Sequence, residues 1–357
     1  MSKLLSPITI GNTTFKNRIT ISPMCQYSAT DGFATDWHLV HLGSRAVGGA
    51  GLIMQEATAI SPQGRISYGD LGIWKDEQCV KLQQIVAFLH GQGAKAGIQL
   101  AHAGRKASCE VPWKGGQQIP SNAANGWQTF SASPLPFKDG QEAPLALDQA
   151  GIQQVISDFR AAAARAIQVG YDVIEIHAAH GYLLHQFYSP LSNQRTDEYG
   201  GPFENRVRLV VAVVQAVRQV WEKGKPLFVR ISSTDWTEGG WTIEDSVKLA
   251  MILKEAGADL IDASSGGNVA AAKIPVAPGY QVGFAEQIKK QSGILTGAVG
   301  IITTPEQAEA ILEKEQADLI FIARQSLRDA YFPMHAATAL QDDLQWPLQY
   351  ERAKLKP

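Results

Sequence analysis

Cysteine is scarce in this chain: Cys25, Cys79 and Cys109 are the only three among 357 residues, and no two form a Cys-x-x-Cys pair. They can build neither a disulfide framework nor a cysteine-ligated iron–sulfur cluster. Long apolar runs are missing as well. A membrane-spanning helix needs roughly 18 consecutive apolar residues, and the longest candidates, such as 209-LVVAVVQAV-217, are broken by polar ones. The opening MSKLLSPITIGN lacks the apolar stretch and cleavage site of a secretory leader. Charge of one sign is not in excess, since 32 Lys and Arg stand against 34 Asp and Glu for a formal net charge of −2. No chain-wide field points to nucleic acid or to an anionic membrane. A reduced cytoplasmic protein is expected.

What is present is a large apolar fraction, 45%, with 18% charged residues, a balance that supports a sizeable core. Short β-rich stretches recur along it: 18-RITISPM-24, 51-GLIMQEA-57, 95-KAGIQLA-101, 171-YDVIEIH-177, 226-PLFVRIS-232, 258-ADLIDAS-264, 293-GILTGAV-299 and 317-ADLIFIA-323. Several are nearly continuous apolar runs, as in parallel strands covered by helices. Helical stretches lie between them at 74–92, 147–169, 202–221, 242–256, 285–291 and 305–314, with Asp148 and Thr304 as N-caps and Gly170 as a stop. Eight such units predict an α/β fold, a (β/α)8 TIM barrel, over an open doubly wound sheet. The open sheet usually carries Gly-x-Gly-x-x-Gly or a P-loop after a strand, and neither occurs. The whole of residues 1–357 reads as one barrel domain. Residues 1–17, with Gly11-Asn12 inside an alternating stretch, read as a hairpin closing the barrel bottom. Residues 104–146 are too long for an ordinary connection and read as a capping excursion after the third strand; 335–357 read as a C-terminal tail.

Barrel chemistry collects at the C-terminal ends of the strands. There stand 22-SPMCQY-27, 56-EAT-58, Gln99 and His102, 177-HAAHGY-182, Arg230, 297-GAVG-300 and 323-ARQS-326. His177 and His180 are three residues apart, so a turn beginning at the strand end aims both imidazoles alike, with Tyr182 close behind. Two imidazole N–H groups can polarise a carbonyl oxygen, and a phenol can donate a proton. Two other readings remain open: structural histidines satisfied by backbone, or a zinc site completed by His102. Arg230 can balance a buried anion, or simply pair with Glu175 or Glu56 inside the barrel. Gly297, Gly300 and Arg324 stand where barrels bind phosphate, although glycines at turns usually serve the turn. Cys25 at a strand end is most simply a small buried hydrophobe.

These residues carry a resemblance. SPMCQYSA, EATAISPQGR, GIQLAHAGRKA, EIHAAHGYLLHQF, TGAVGIIT and above all SPLSNQRTDEYGGPFENR (189–206) resemble the Old Yellow Enzyme family of flavin oxidoreductases, in its thermophilic-like and xenobiotic-reductase branch. The likeness spans nearly the whole chain. It implies a TIM barrel holding FMN non-covalently in its mouth, reduced by NADPH and reoxidised by enones, nitro compounds or nitrate esters. Ser22, Pro23, Met24 and Cys25 would line the flavin ring, with Cys25 adjusting its redox behaviour. Ala57 and Gln99 would contact the isoalloxazine, Arg230 its N1/O2 side, and Gly300, Ala323 and Arg324 the phosphate. His177 and His180 would grip the substrate's electron-withdrawing group, Tyr182 would give the proton and Tyr27 would wall the pocket. Arg352 in 349-QYER-352 would reach a neighbouring site in a homodimer or homotetramer. Ala323 departs from a family glycine, and the tail AKLKP lacks an aromatic residue. No metal is implied. The alternatives are a zinc-dependent barrel hydrolase on His177, His180 and His102, and a non-catalytic flavin redox sensor acting through Cys25.

Overall fold

The computed structural model describes residues 2–354. Eight parallel strands run β1 (Ile19–Ile21), β2 (Leu52–Ala59), β3 (Lys95–Ala101), β4 (Val173–Ala178), β5 (Leu227–Ser232), β6 (Leu260–Ser264), β7 (Leu295–Ala298) and β8 (Leu319–Ile322). Each pairs with its sequence neighbour, and β8 pairs with β1. The sheet closes, so the fold is a (β/α)8 barrel and the open doubly wound sheet is excluded.

Alternation along the strands separates two cores. Outward residues such as Ile53, Ile98, Ile174, Val229 and Ile320 meet the helices, while Leu52, Met54, Val173, Phe228, Leu260, Leu319 and Phe321 fill the interior. The antiparallel pair Ile8–Ile10 and Thr13–Phe15 closes the floor, since Ile10 and Phe15 join that inner cluster.

The enclosing helices are α1 (Asp36–Val47), α2 (Cys79–Gly91), α3 (Gln149–Val169), α4 (Arg208–Val220), α5 (Ile243–Glu255), α6 (Val282–Ser292), α7 (Pro305–Glu313) and α8 (Phe332–Ala339). Asp148 caps α3 by accepting from the Gly151 N–H at 2.7 Å, and Thr304 caps α7 in the same way. The stretch expected as one helix over 202–221 is instead two, Phe203–Arg206 and α4, meeting at Val207. Helix α1 escaped notice for a physical reason: its buried face carries His38, His41 and Arg45 beside Leu42 and Ala46, so no apolar period marks it. The tail expected from 335 begins inside α8, and residues 355–357 lie outside the described part. Among the described residues no helix is long and apolar enough to cross a membrane.

Candidate active site

The upper end of the barrel is polar. After β4 the chain turns sharply through 177-HAAHGY-182. His180 takes a left-handed conformation (φ 59°), and its N–H donates to Ser232 Oγ at 2.9 Å. Gly181 follows at φ 72°, where a Cβ would come within 2.2 Å of the Gly267 carbonyl oxygen, so only glycine fits. This turn brings His177, His180 and Tyr182 together. The His177 ring lies 5.1 Å from His180 and 4.9 Å from Tyr182, edge-on to both.

A hydrogen bond fixes the His177 tautomer. His177 Nδ1 accepts from the Ala179 N–H at 3.3 Å, which puts the ring proton on Nε2. His180 Nε2 is 2.7 Å from Ser264 Oγ, a hydrogen bond that either group can donate. Burial, then the Arg230 charge, holds both imidazoles well below their ordinary pKa, so both are neutral donors. Burial likewise holds the Tyr182 phenol well above its ordinary value, with Cys25 and Tyr27 adding to it. The phenol keeps its proton.

A platform supports the turn from behind. His185 Nδ1 accepts from the Gly181 N–H at 2.9 Å, and its Nε2 lies 2.9 Å from Asp235 Oδ1. Asp235 also accepts from Ser189 Oγ and the Trp241 N–H. Desolvation pushes its carboxyl up, but His185 and these donors outweigh it and hold the pKa below the usual value. The 189–206 block that marks the family most strongly is structural here. Asn193 ties to the Phe187 and Tyr199 carbonyls, and Arg195 donates to the Ala132 and Leu147 carbonyls of the excursion.

Across the barrel, Arg230 pairs in register with His177 on β4 and with Asp262 on β6. Its Nε lies 3.1 Å from Asp262 Oδ2. The expected partners were Glu175 or Glu56; the ion pair is made instead with Asp262, an inward carboxylate that β6 places beside Arg230. Glu175 is nevertheless close enough to feel both groups, and Gln99 Nε2 donates to its Oε1 at 2.7 Å. Arg230 also lines a cavity of about 290 Å³ with Ser264, Gln281, Gly300, Ala323 and Arg324. Gly300 sits at φ 125°, and a Cβ there would press within 3.2 Å of Gln281 and Tyr280.

The remaining residues line the β1–β2 side. Ser22, fully buried, has a hydroxyl without a partner, and Pro23 and Met24 are half-buried. A bulge on β2 sets Glu56 out of register, so that Ala57 pairs with Gln99 and Glu56 Oε1 accepts from the Gln26 N–H. Burial, then Asp70 and Glu56, raises the Cys25 thiol well above its usual pKa. A thiol so held is a poor thiolate, which counts against a redox sensor built on it. Tyr27 (φ 52°) meets Trp113 edge-on and lines a second cavity of about 280 Å³ with Arg105, Lys106, Cys109 and Phe137 of the excursion. Lys106 escaped the sequence reading, since one lysine in a loop carries no signal. Its Nζ donates to the His180 and Gly267 carbonyls and lies 5.1 Å from the Tyr182 ring centroid. Arg352 is not brought to this rim within one chain; it is exposed on a short turn whose Tyr350 meets Tyr331.

The family model for NADH:flavin oxidoreductase / NADH oxidase matches residues 3–343. The chain belongs to this family, the Old Yellow Enzymes. Among its relatives is the NADPH dehydrogenase of Listeria innocua, 49% identical over 355 residues and covering 99% of both chains. Morphinone reductase superimposes with a TM-score of 0.78 at 28% identity, over 97% of this chain and 91% of its own. An old yellow enzyme homologue from Zymomonas mobilis does so at 0.77 and 26%, over 97% and 95%. This Old Yellow Enzyme is therefore an FMN-dependent oxidoreductase that takes hydride from a reduced nicotinamide. Its residues fit the cofactor: the buried Ser22 hydroxyl has no partner, and Arg230, Gly300, Ala323 and Arg324 line one cavity at the strand ends. Among the described residues no group of three or more His, Cys, Asp or Glu is arranged to hold a metal. Family membership leaves the zinc-hydrolase alternative without support.

Proposed function

We propose that this enzyme reduces the C=C bond of α,β-unsaturated carbonyl or nitro compounds at the expense of NADPH. The observation that carries the reading is the triangle of neutral His177, neutral His180 and protonated Tyr182 on one turn, in register with Arg230. Bound FMN supplies the hydride chemistry, accepting hydride from NADPH and handing it to the alkene.

The chain's own residues do the rest. The ring N–H groups of His177 and His180 bind the substrate's carbonyl or nitro oxygen and stabilise charge developing there. Tyr182 gives its phenolic proton to the α-carbon. Arg230 would offset negative charge at the N1/O2 side of bound FMN, with Gln99 beside it. Gly300, Ala323 and Arg324 would hold its phosphate. Ser22, Pro23, Met24, Cys25 and Ala57 would line the ring, and Tyr27 would wall the substrate pocket. Residues 104–146 cap that pocket in a single-domain chain. The preference for NADPH is supported by the name of the Listeria relative. The assembly is a homodimer or homotetramer in which Arg352 meets a neighbouring site.

The test is the visible spectrum of the purified protein, followed by anaerobic NADPH and then cyclohexenone. Yellow protein that bleaches with NADPH and regains its colour with the enone supports both half-reactions. Bleaching without recovery leaves an NADPH-oxidising flavoprotein that does not use enones.

A further inference from the structure

Beneath the rim the barrel holds a charge imbalance. Glu175 from β4 and Asp262 from β6 are fully buried, and the guanidinium between these strands is Arg230 on β5. Gln99 serves one oxygen of Glu175; Glu175 Oε2 and both Asp262 oxygens have no aligned hydrogen bond. Two carboxylates against one cation leave a net negative charge in the buried interior, and an uncompensated buried charge is costly. One proton held within the cluster removes the imbalance.

We propose that Glu175 is the residue that holds this proton, and that it exchanges the proton with solvent in step with the charge at the flavin edge. The assignment between the two carboxyls follows from contact. Asp262 has the 3.1 Å approach to Arg230 Nε, whereas Glu175 meets only the neutral Gln99 amide. Desolvation raises both carboxyls, and Asp262 adds its repulsion at Glu175 while Arg230 draws both down. The charged groups acting on Glu175 are Asp262 and Arg230; β3 presents Gln99, and β8 places the Phe321 ring in the same interior. The inference rests on the reading that Arg230 faces the flavin. When hydride arrives there, one negative charge is added at the edge and draws on Arg230. Less of the cation is then left for the carboxylates below. Near pH 7 Glu175 already holds its proton and none enters; where the oxidised enzyme has lost that proton at higher pH, reduction returns it from solvent, so two electrons bring in a second proton beside the one carried by the hydride. Glu175 acts through Arg230 and is a positioning residue.

Two measurements test this, one of them without cofactor. Infrared difference spectra of apoprotein, wild type against Glu175→Gln, should show a protonated-carboxyl band at pH 7 that fades as the pH passes about 8. Asp262→Asn should erase the band at pH 7, because Glu175 then becomes the counter-ion of Arg230. No such band in the wild type, or one untouched by Asp262→Asn, overturns the proposal. In FMN-loaded protein the reduction potential should follow one proton per two electrons near pH 7 and approach two where Glu175 titrates. Glu175→Gln should keep the one-proton dependence throughout. Equal pH dependences in the two proteins overturn the role of Glu175 alone. Failure of FMN to bind overturns the flavin site, and the infrared result still decides the proton.

Discussion

The two halves of the barrel interior are built on opposite principles. The floor holds Ile10, Phe15, Leu52, Met54, Val173, Phe228, Leu260 and Leu319, a close-packed apolar plug. One layer higher stand Gln99 on β3 and Glu175, Arg230 and Asp262 on β4 to β6, all buried, the last three incompletely hydrogen-bonded. The floor stabilises the barrel by removing apolar surface from water. The rim costs stability, since buried polar groups without partners are unfavourable. Such a layer persists because the floor and the outer core over-determine the fold, and its free valences point to where a ligand binds.

The largest way to break that contrast is to hollow the floor. Phe228→Ala should lower unfolding stability by about 3–5 kcal/mol, read by denaturant titration of the FMN-loaded protein. A loss below 1 kcal/mol would mean that the floor is not what holds the barrel. Next comes the proton donor proposed at the rim. Tyr182→Phe should slow flavin reoxidation by an alkene roughly 10²–10⁴-fold while leaving reduction by NADPH nearly untouched. Stopped-flow measurement of both half-reactions separates these, and equal loss in both would sink the donor role. His177→Ala removes one neutral hydrogen bond, about 1 kcal/mol, so a phenolic ligand should bind roughly fivefold more weakly. Unchanged spectral titrations would contradict it. Ser264→Ala should act more gently, through the freed His180 tautomer, with less than a threefold change in the same titration.

Acidity sharpens the comparison, because the titratable groups lie outside the floor. Desolvation pulls buried His38, His41 and His102 down to about 4, 3 and 4. Unfolded histidines titrate near ~6.5, so below that pH the unfolded chain binds more protons and stability falls with acid. Asp70 and Glu175 are pushed up by burial to about 7 and 8. There the folded chain holds more protons, and stability falls as the pH rises through those values. The melting temperature should therefore form a dome over pH with its top near 6 to 7. Phe228→Ala should lower the dome without reshaping it, whereas Glu175→Gln should flatten its alkaline side.

Much of this was legible in the chain. All eight strands follow from apolar runs bounded by turn residues, and six of the helices from their period and caps. The hairpin follows from Gly11-Asn12, whose register delivers Ile10 and Phe15 to the floor. The turn carrying His177, His180 and Tyr182 was equally plain, since three candidate residues within six positions need no long-range folding to meet. What stayed hidden was polar and distant. Helix α1 shows no apolar stripe because its inner face is histidine and arginine. Lys106 reaches the site only because the excursion folds back over it, and Asp262 because β6 lies beside β5.

The sequence by itself determined the barrel, through periodicity and local turn chemistry, because backbone propensity and apolar alternation are properties of neighbouring residues. It also determined which rim residues could do chemistry. Only the tertiary structure decided which charges face one another. The pairing of Arg230 with Asp262, the contact of His180 with Ser264, and the carboxyl left without a cation all depend on strands dozens of residues apart. In a water-poor interior, electrostatic energy follows distance through space, and distance along the chain does not report it.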